Sequence, residues 1–247
     1  MRHAFFSFLV SAACAICALA GPNLVFNGSF DCPTNPLAGW MYDYTWLGNK
    51  LYMDNHTRVS WVKEDSGRKG VVKLSAGENI LVSGGQGVWL DSKPFPYEFG
   101  AKYRLTVWAR SEGKGGGTGP NCRIYIVGYK WKSGIKPHPD PDLTEMAPNP
   151  PSCIIKQGAG HLVYFGSKGR DFSDPKRTWS KGETTFPSDD PSEEAIKRLK
   201  MCDFLTVHIC AINGTDGDLY IDDVVVEKIA DRMSFVDKLQ QRSPARK

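Results

Sequence analysis

The stretch from Phe99 to Ser111, FGAKYRLTVWARS, restricts the fold of this chain more than any other. Tyr103, Leu105, Val107 and Ala109 alternate with Arg104, Thr106, Trp108 and Arg110, which is the two-residue period of a strand with one apolar and one outward face. A sheet must be present, and a second layer must cover its apolar side. The outward side carries an indole ring and guanidinium groups, the parts of a recognition surface.

Similar short segments fill the rest of the chain. Strands are expected at Asn23 to Asp31, Arg58 to Lys63, Val71 to Ser75, Gln86 to Asp91, Asn121 to Tyr129, His161 to Phe165, Arg177 to Phe186, Phe204 to Ala211 and Leu219 to Ile229. The segment Trp40 to Trp46 would place Trp40, Tyr42, Tyr44 and Trp46 on one face, with half of them entering the core or loop packing. Asn121 to Tyr129 is expected to pair with the strand at Phe99 to Ser111. The glycine run Gly113 to Gly119 then reads as a hairpin tip; it lacks the Lys-Ser/Thr and the helix of a phosphate-binding loop. Asn213 to Gly217 is a second hairpin signal, between the last two strands. One short helix is expected from Pro191 to Lys200, with Asp190 as N-cap and Glu193 at N3. Lys136 to Ser152 contains six prolines and forms a surface insertion rather than a regular element.

Strand follows strand without intervening helices, 25 glycines and 16 prolines supply the turns, and 41% hydrophobic residues suffice for a core. The expected fold is all-β, a β-sandwich with jelly-roll topology. Residues 1–20 have the form of a secretory signal peptide: Arg2 and His3 precede an apolar run that ends in Ala18-Leu19-Ala20. The expected organisation is therefore a leader at 1–20, one domain at 21–229 and a tail at 230–247, in a chain that is secreted, periplasmic or held at the cell surface, with no membrane span after cleavage. Cleavage at Ala20 leaves Cys32, Cys122, Cys153, Cys202 and Cys210, an odd count that allows at most two disulfides. A net charge of +4 over 247 residues does not call for a nucleic-acid partner.

Five segments, in order, resemble the CenC-like carbohydrate-binding modules, the group of families 4, 9 and 22 within the galactose-binding-like jelly rolls. They are Asn23-Leu24-Val25-Phe26-Asn27-Gly28-Ser29-Phe30-Asp31, Gly39-Trp40, Gly100 to Arg110, Trp179 to Phe186, and Leu219-Tyr220-Ile221-Asp222-Asp223-Val224. The proline-rich insertion and the helix near Glu193 depart from the pattern. The resemblance implies a polysaccharide or glycan ligand, and a structural calcium ion at Asp222 with Asp31 as a weaker partner. Oxygen ligands of this kind suit calcium. Asp222 and Asp223 would serve one site only if their strand bulges.

A sugar presents C–H faces to aromatic rings and hydroxyls to fixed polar groups. Trp108, Arg110, Tyr125, Trp61 and Trp89 are the candidate residues, Trp108 and Arg110 sharing a face because they lie two apart on a strand. An unpaired Arg110 could not be buried cheaply. His208 either lines the groove or sits in the core, and His56, His138 and His161 show no metal spacing. A secreted, non-catalytic glycan-binding protein is the leading expectation. A jelly-roll glycoside hydrolase or polysaccharide lyase is the alternative, and would need two carboxylates, or a Tyr/His/Arg set, converging in the groove. A surface structural or adhesion protein is the third.

Overall fold

Eleven strands and two short helices are seen in a computed structural model that describes residues 22–45, 54–77, 87–117, 119–131, 162–166 (backbone only), 178–212, 216–230 and 236. The leader, Trp46, the proline-rich insertion, Cys153, His161, residues 213–215 and nearly all of the tail lie outside the described residues.

The strands are β1 (Trp40–Met41), β2 (Val59–Asp65), β3 (Arg68–Ala76), β4 (Val88–Ser92), β5 (Phe95–Pro96), β6 (Lys102–Gly113), β7 (Asn121–Tyr129), β8 (Leu162–Gly166), β9 (Ser180–Phe186), β10 (Phe204–Ile212) and β11 (Gly217–Ala230). They form two sheets. The first runs β1-β4-β10-β7-β8, with β5 also on β10; the second runs β2-β3-β11-β6-β9. Every pairing is antiparallel. From β3 onward the chain passes repeatedly from one sheet to the other, the wrapping of a jelly roll.

The core lies between the sheets. β6 contributes Tyr103, Leu105, Val107 and Ala109, as its alternation requires, and β11 adds Leu219 and Ile221 beside them. Ile124 of β7, Leu90 of β4, and Val207 and Ile209 of β10 face them from the first sheet. The expected all-β jelly-roll sandwich is thus the observed architecture.

Several local expectations are corrected. β6 does not pair with β7: it lies between β11 and β9, whereas β7 lies between β10 and β8. The segments after β6 and after β10 therefore cross between sheets instead of closing hairpins. The helix α2 spans Glu193–Leu199 and is capped by Ser192, whose hydroxyl accepts from the Ala195 amide, not by Asp190. It follows α1 (Asn55–Arg58), so the described residues hold two helices rather than one. Around Trp40, the strand stops at Met41, and Tyr44 is entirely buried.

Asn23 to Asp31 forms turns and not a strand, because Asn27 and Phe30 take positive φ (50° and 55°). Asn23 fastens this loop to β11, its Nδ2 donating to the Val224 carbonyl and its Oδ1 accepting from the Val226 amide. Gly28 accepts from the Val224 amide so closely that a Cβ there would lie 1.9 Å from the Val224 oxygen. Phe30 and Trp40 meet in the core with ring centroids 5.0 Å apart.

Candidate functional site

Four of the five candidate binding residues divide between opposite outer faces of the sandwich. Trp108 and Arg110 project from β6 on the second sheet; Tyr125 of β7 and Trp89 of β4 project from the first. Trp61 belongs to neither group. It sits on edge strand β2 in register with the core residue Val72, donates its indole N–H to the Phe30 carbonyl, and is 39% exposed.

On the second sheet the chain supplies its own partners. The β2–β3 hairpin brings Asp65 and Arg68 onto the face. The Arg68 guanidinium lies 4.7 Å from the ring centre of Trp108 and 5.3 Å from that of Trp179, both within cation–π range. Its Nε donates to Asp222 at 2.6 Å, and its other end pairs with Asp223. The strand does bulge between Asp222 and Val225, with Asp223 at φ 46°, and the bulge lets both carboxylates reach one arginine. Arg110 returns the arrangement. It donates twice to Asp65 (2.7 and 2.6 Å) and once to Glu112 (2.9 Å), and stacks 4.1 Å over Tyr220. Burial opposes its charge, yet the Asp65 and Glu112 hydrogen bonds outweigh burial and raise its pKa. The Trp179 indole N–H closes the clasp by donating to the Asp65 carbonyl.

The expected calcium site does not fit this arrangement. Burial raises the Asp222 pKa, Arg68 only partly offsets it, and a cation at Asp222 would have to displace the arginine. Asp31 lies against Gly70 of β3, and no group of three or more His, Cys, Asp and Glu among the described residues could hold a metal.

The first sheet's outer face is built differently. Asp91 of β4 and Tyr125 of β7 lie directly across from His208 of β10, one on each side. The His208 Nδ1–H donates to Asp91 Oδ1 at 2.8 Å, and the Tyr44 hydroxyl donates to Asp91 Oδ2. Asp91 and Tyr44 are wholly buried and His208 is 2% exposed. A carboxylate in such a place needs partners for both oxygens, and it has them. Burial, with Asp91 alongside, pushes the Tyr44 phenol well above its ordinary pKa, so it stays a donor.

Rings surround this chain of polar groups. Trp89 meets His208 edge-on at 5.6 Å, Tyr125 lies tilted over it at 5.7 Å, and Tyr44 meets Trp89 edge-on at 5.7 Å. Asn55 of α1 sews the loop carrying Tyr44 onto β4, donating to the Tyr42 and Trp89 carbonyls and accepting from the Trp89 amide. The Tyr129 and Thr206 hydroxyls face each other on the same sheet face without a well-formed hydrogen bond. Tyr125, Arg123 and Trp131 are half-buried, so each keeps part of its surface toward solvent.

Sequence reasoning passed over Asp91, placed Tyr44 only within the aromatic set of Trp40 to Trp46, and left His208 undecided. Asp91 could have been found as the acid that directly follows the apolar run Val88 to Leu90, since an acid in a buried strand needs a donor nearby. His208 gave no such signal, because every residue from Phe204 to Ile212 is buried and alternation cannot separate the two faces.

No family model matches the chain, and no curated protein matches it. Among solved structures it is similar to a family 16 carbohydrate-binding module at 16% identity and a TM-score of 0.43, covering 83% of this chain and 99% of that one. It is similar to a CBM4 structure at 15% identity and a TM-score of 0.41, with the same coverage. It is also similar to a Stig cyclase from Fischerella sp. TAU in complex with an indole compound, at 14% identity and a TM-score of 0.41, covering 85% of this chain and 98% of that one. All three fall below 25% identity and a TM-score of 0.5, so ligand and activity have to be read from the site itself.

Proposed function

We propose that this is an exported glycan-binding protein that takes a polysaccharide or glycan on the outer face of its first sheet, with Tyr125 as the stacking platform. The observation that carries the reading is the fixed chain Tyr44–Asp91–His208, whose imidazole meets the half-buried Tyr125 ring. Sugar recognition needs a flat apolar surface next to polar groups that do not move. Arg123, two residues along β7, supplies a cation on the same face, and Trp131 a second ring near its edge. The outer face of the second sheet is the weaker choice, because Arg68 already occupies the Trp108 and Trp179 rings. Export follows from the leader-like residues 1–20, and intact-mass measurement of the exported chain should give Gly21 as its first residue.

Affinity electrophoresis against a panel of neutral and acidic soluble polysaccharides tests the binding. Retardation by at least one glycan is expected, with Tyr125→Ala weakening it by roughly tenfold or more, the loss of an aromatic anchor worth over about 1 kcal/mol. Trp108→Ala should leave it within about threefold of the parent if the protein stays folded. The reverse ranking would move the site to the second sheet, and no retardation on any glycan would defeat the reading.

A further inference from the structure

Asn27-Gly28-Ser29 and Asn55-His56-Thr57 both have the Asn-X-Ser/Thr pattern at which exported chains receive asparagine-linked sugar, and that pattern ordinarily marks a surface loop. Neither side chain is free to take it. Asn55 is 5% exposed. Its Nδ2 donates to the Tyr42 carbonyl at 2.6 Å and to the Trp89 carbonyl at 3.0 Å, and its Oδ1 accepts from the Trp89 amide at 2.9 Å. Asn27, half-buried at a φ of 50°, is bound in the same way: Nδ2 donates to the Pro36 and Ala38 carbonyls (2.8 and 3.1 Å), and Oδ1 accepts from the Cys32 amide at 3.2 Å. Each side chain has both amide hydrogens and its oxygen engaged with backbone groups.

Resting on the export reading above, we propose that Asn27 and Asn55 must stay unmodified for this chain to fold, and that it is therefore exported by a route without asparagine-linked glycosylation. Sugar transfer forms a bond from Nδ2 to C1 of the incoming sugar, while the C1–O bond to a lipid diphosphate carrier breaks with its electrons on oxygen and an amide proton is lost. The new N–C bond is about 1.45 Å long, so whichever hydrogen is replaced, the sugar carbon overlaps the carbonyl oxygen that accepts that hydrogen in the fold. At Asn55 this would part the loop carrying Tyr44 from β4, and Asp91 would lose its phenol donor. At Asn27 it would open the turn whose carbonyl accepts the Trp40 indole N–H at 3.0 Å. Buried backbone groups left without partners would hold both regions open. The order of events favours modification wherever the machinery for it exists. Transfer acts on the emerging chain, whereas Trp89 lies 34 residues beyond Asn55 and is made seconds later, at synthesis rates of about 5–20 residues per second.

The test uses the full chain with its leader, in a Thr215→Ala background that removes the third such pattern, Asn213-Gly214-Thr215, which lies outside the described residues. This parent and a Ser29→Ala/Thr57→Ala variant, which keeps both asparagines, are produced in secreting cells that glycosylate and in a bacterial periplasm that does not. Thr57 is exposed and Ser29 half-buried, so the two periplasmic proteins should melt within a few degrees of each other. In the glycosylating cells the variant should be secreted at several-fold the amount of the parent. Peptide mapping should find sugar at Asn27 or Asn55 only in parent chains retained inside the cell. Secreted parent that carries sugar at either asparagine and melts as the periplasmic parent does would overturn the inference. Equal secretion of parent and variant with both asparagines unmodified would overturn it too, since a glycosylating route would then deliver the fold. A leader left uncut in both hosts would end the export reading and this inference with it, whereas affinity electrophoresis of the periplasmic protein tests glycan binding separately.

Discussion

Replacing Arg110 by Met should destabilise the protein by about 3–5 kcal/mol, the usual consequence of removing one partner of a buried ion pair. The figure follows from the surroundings. The Arg110 side chain is 6% exposed and that of Asp65 14%, so the carboxylate left behind cannot recover its lost hydrogen bonds from water. Glu112 adds little, because its side chain is 55% exposed and solvent replaces the arginine there. Met keeps most of the aliphatic stem, so the loss is confined to the charged head, including its stacking over Tyr220. For a domain of this size the loss corresponds to a melting-temperature drop of roughly 6–20 °C. Urea unfolding of the parent, Arg110→Met, Asp65→Leu and the double variant measures it. The double variant should lose about 1–3 kcal/mol less than the two single losses added together. A loss below about 1 kcal/mol for Arg110→Met, or strict additivity in the double variant, would refute the idea that this pair holds the hairpin on the sheet.

Two further outcomes are expected. Excess chelator should leave the melting temperature unchanged, since Asp222 is held by Arg68; a clear drop on chelation would restore the calcium ion to that strand. In a Cys153→Ser background, a thiol reagent at pH 8 should label Cys32 quickly, because the Thr34 hydroxyl, followed by nearby backbone amides, lowers its pKa. Cys202, pushed up to about 12 by burial, and Cys122, pushed higher still, should react only on unfolding; prompt labelling of either would contradict the burial seen here.

The strands were legible because each carries its own local pattern. β7 spans Asn121–Tyr129 as expected, and the inward set on β6 is the one its alternation names. Pairing was not legible. Alternation reports which side of a strand is apolar but not which strand lies next to it, so neighbours in sequence were taken for neighbours in space. Two glycine-rich segments that resemble hairpin tips instead carry the chain between sheets. The candidate site suffered from the same limit. Trp108 and Tyr125 were grouped because their strands follow one another, yet they face opposite directions across the core. The Asp91–His208 pair joins residues 117 apart in sequence, and nothing local to either residue signals the other. The order of Asn23 to Asp31 was missed because its apolar residues fit a strand, while the side-chain hydrogen bonds that bend it depend on β11.

The two outer faces stand on opposite sides of a core about 10 Å thick. Groups that far apart, with no shared partner, contribute to stability almost additively. The clasp of Arg68, Arg110, Asp65 and Asp222 can therefore stay constant while Tyr125, Arg123 and their neighbours change, and the reverse also holds. A lineage carrying this arrangement could pass from one ligand to another without renegotiating how its second sheet is held together. It would inherit a stable frame and a separately editable surface.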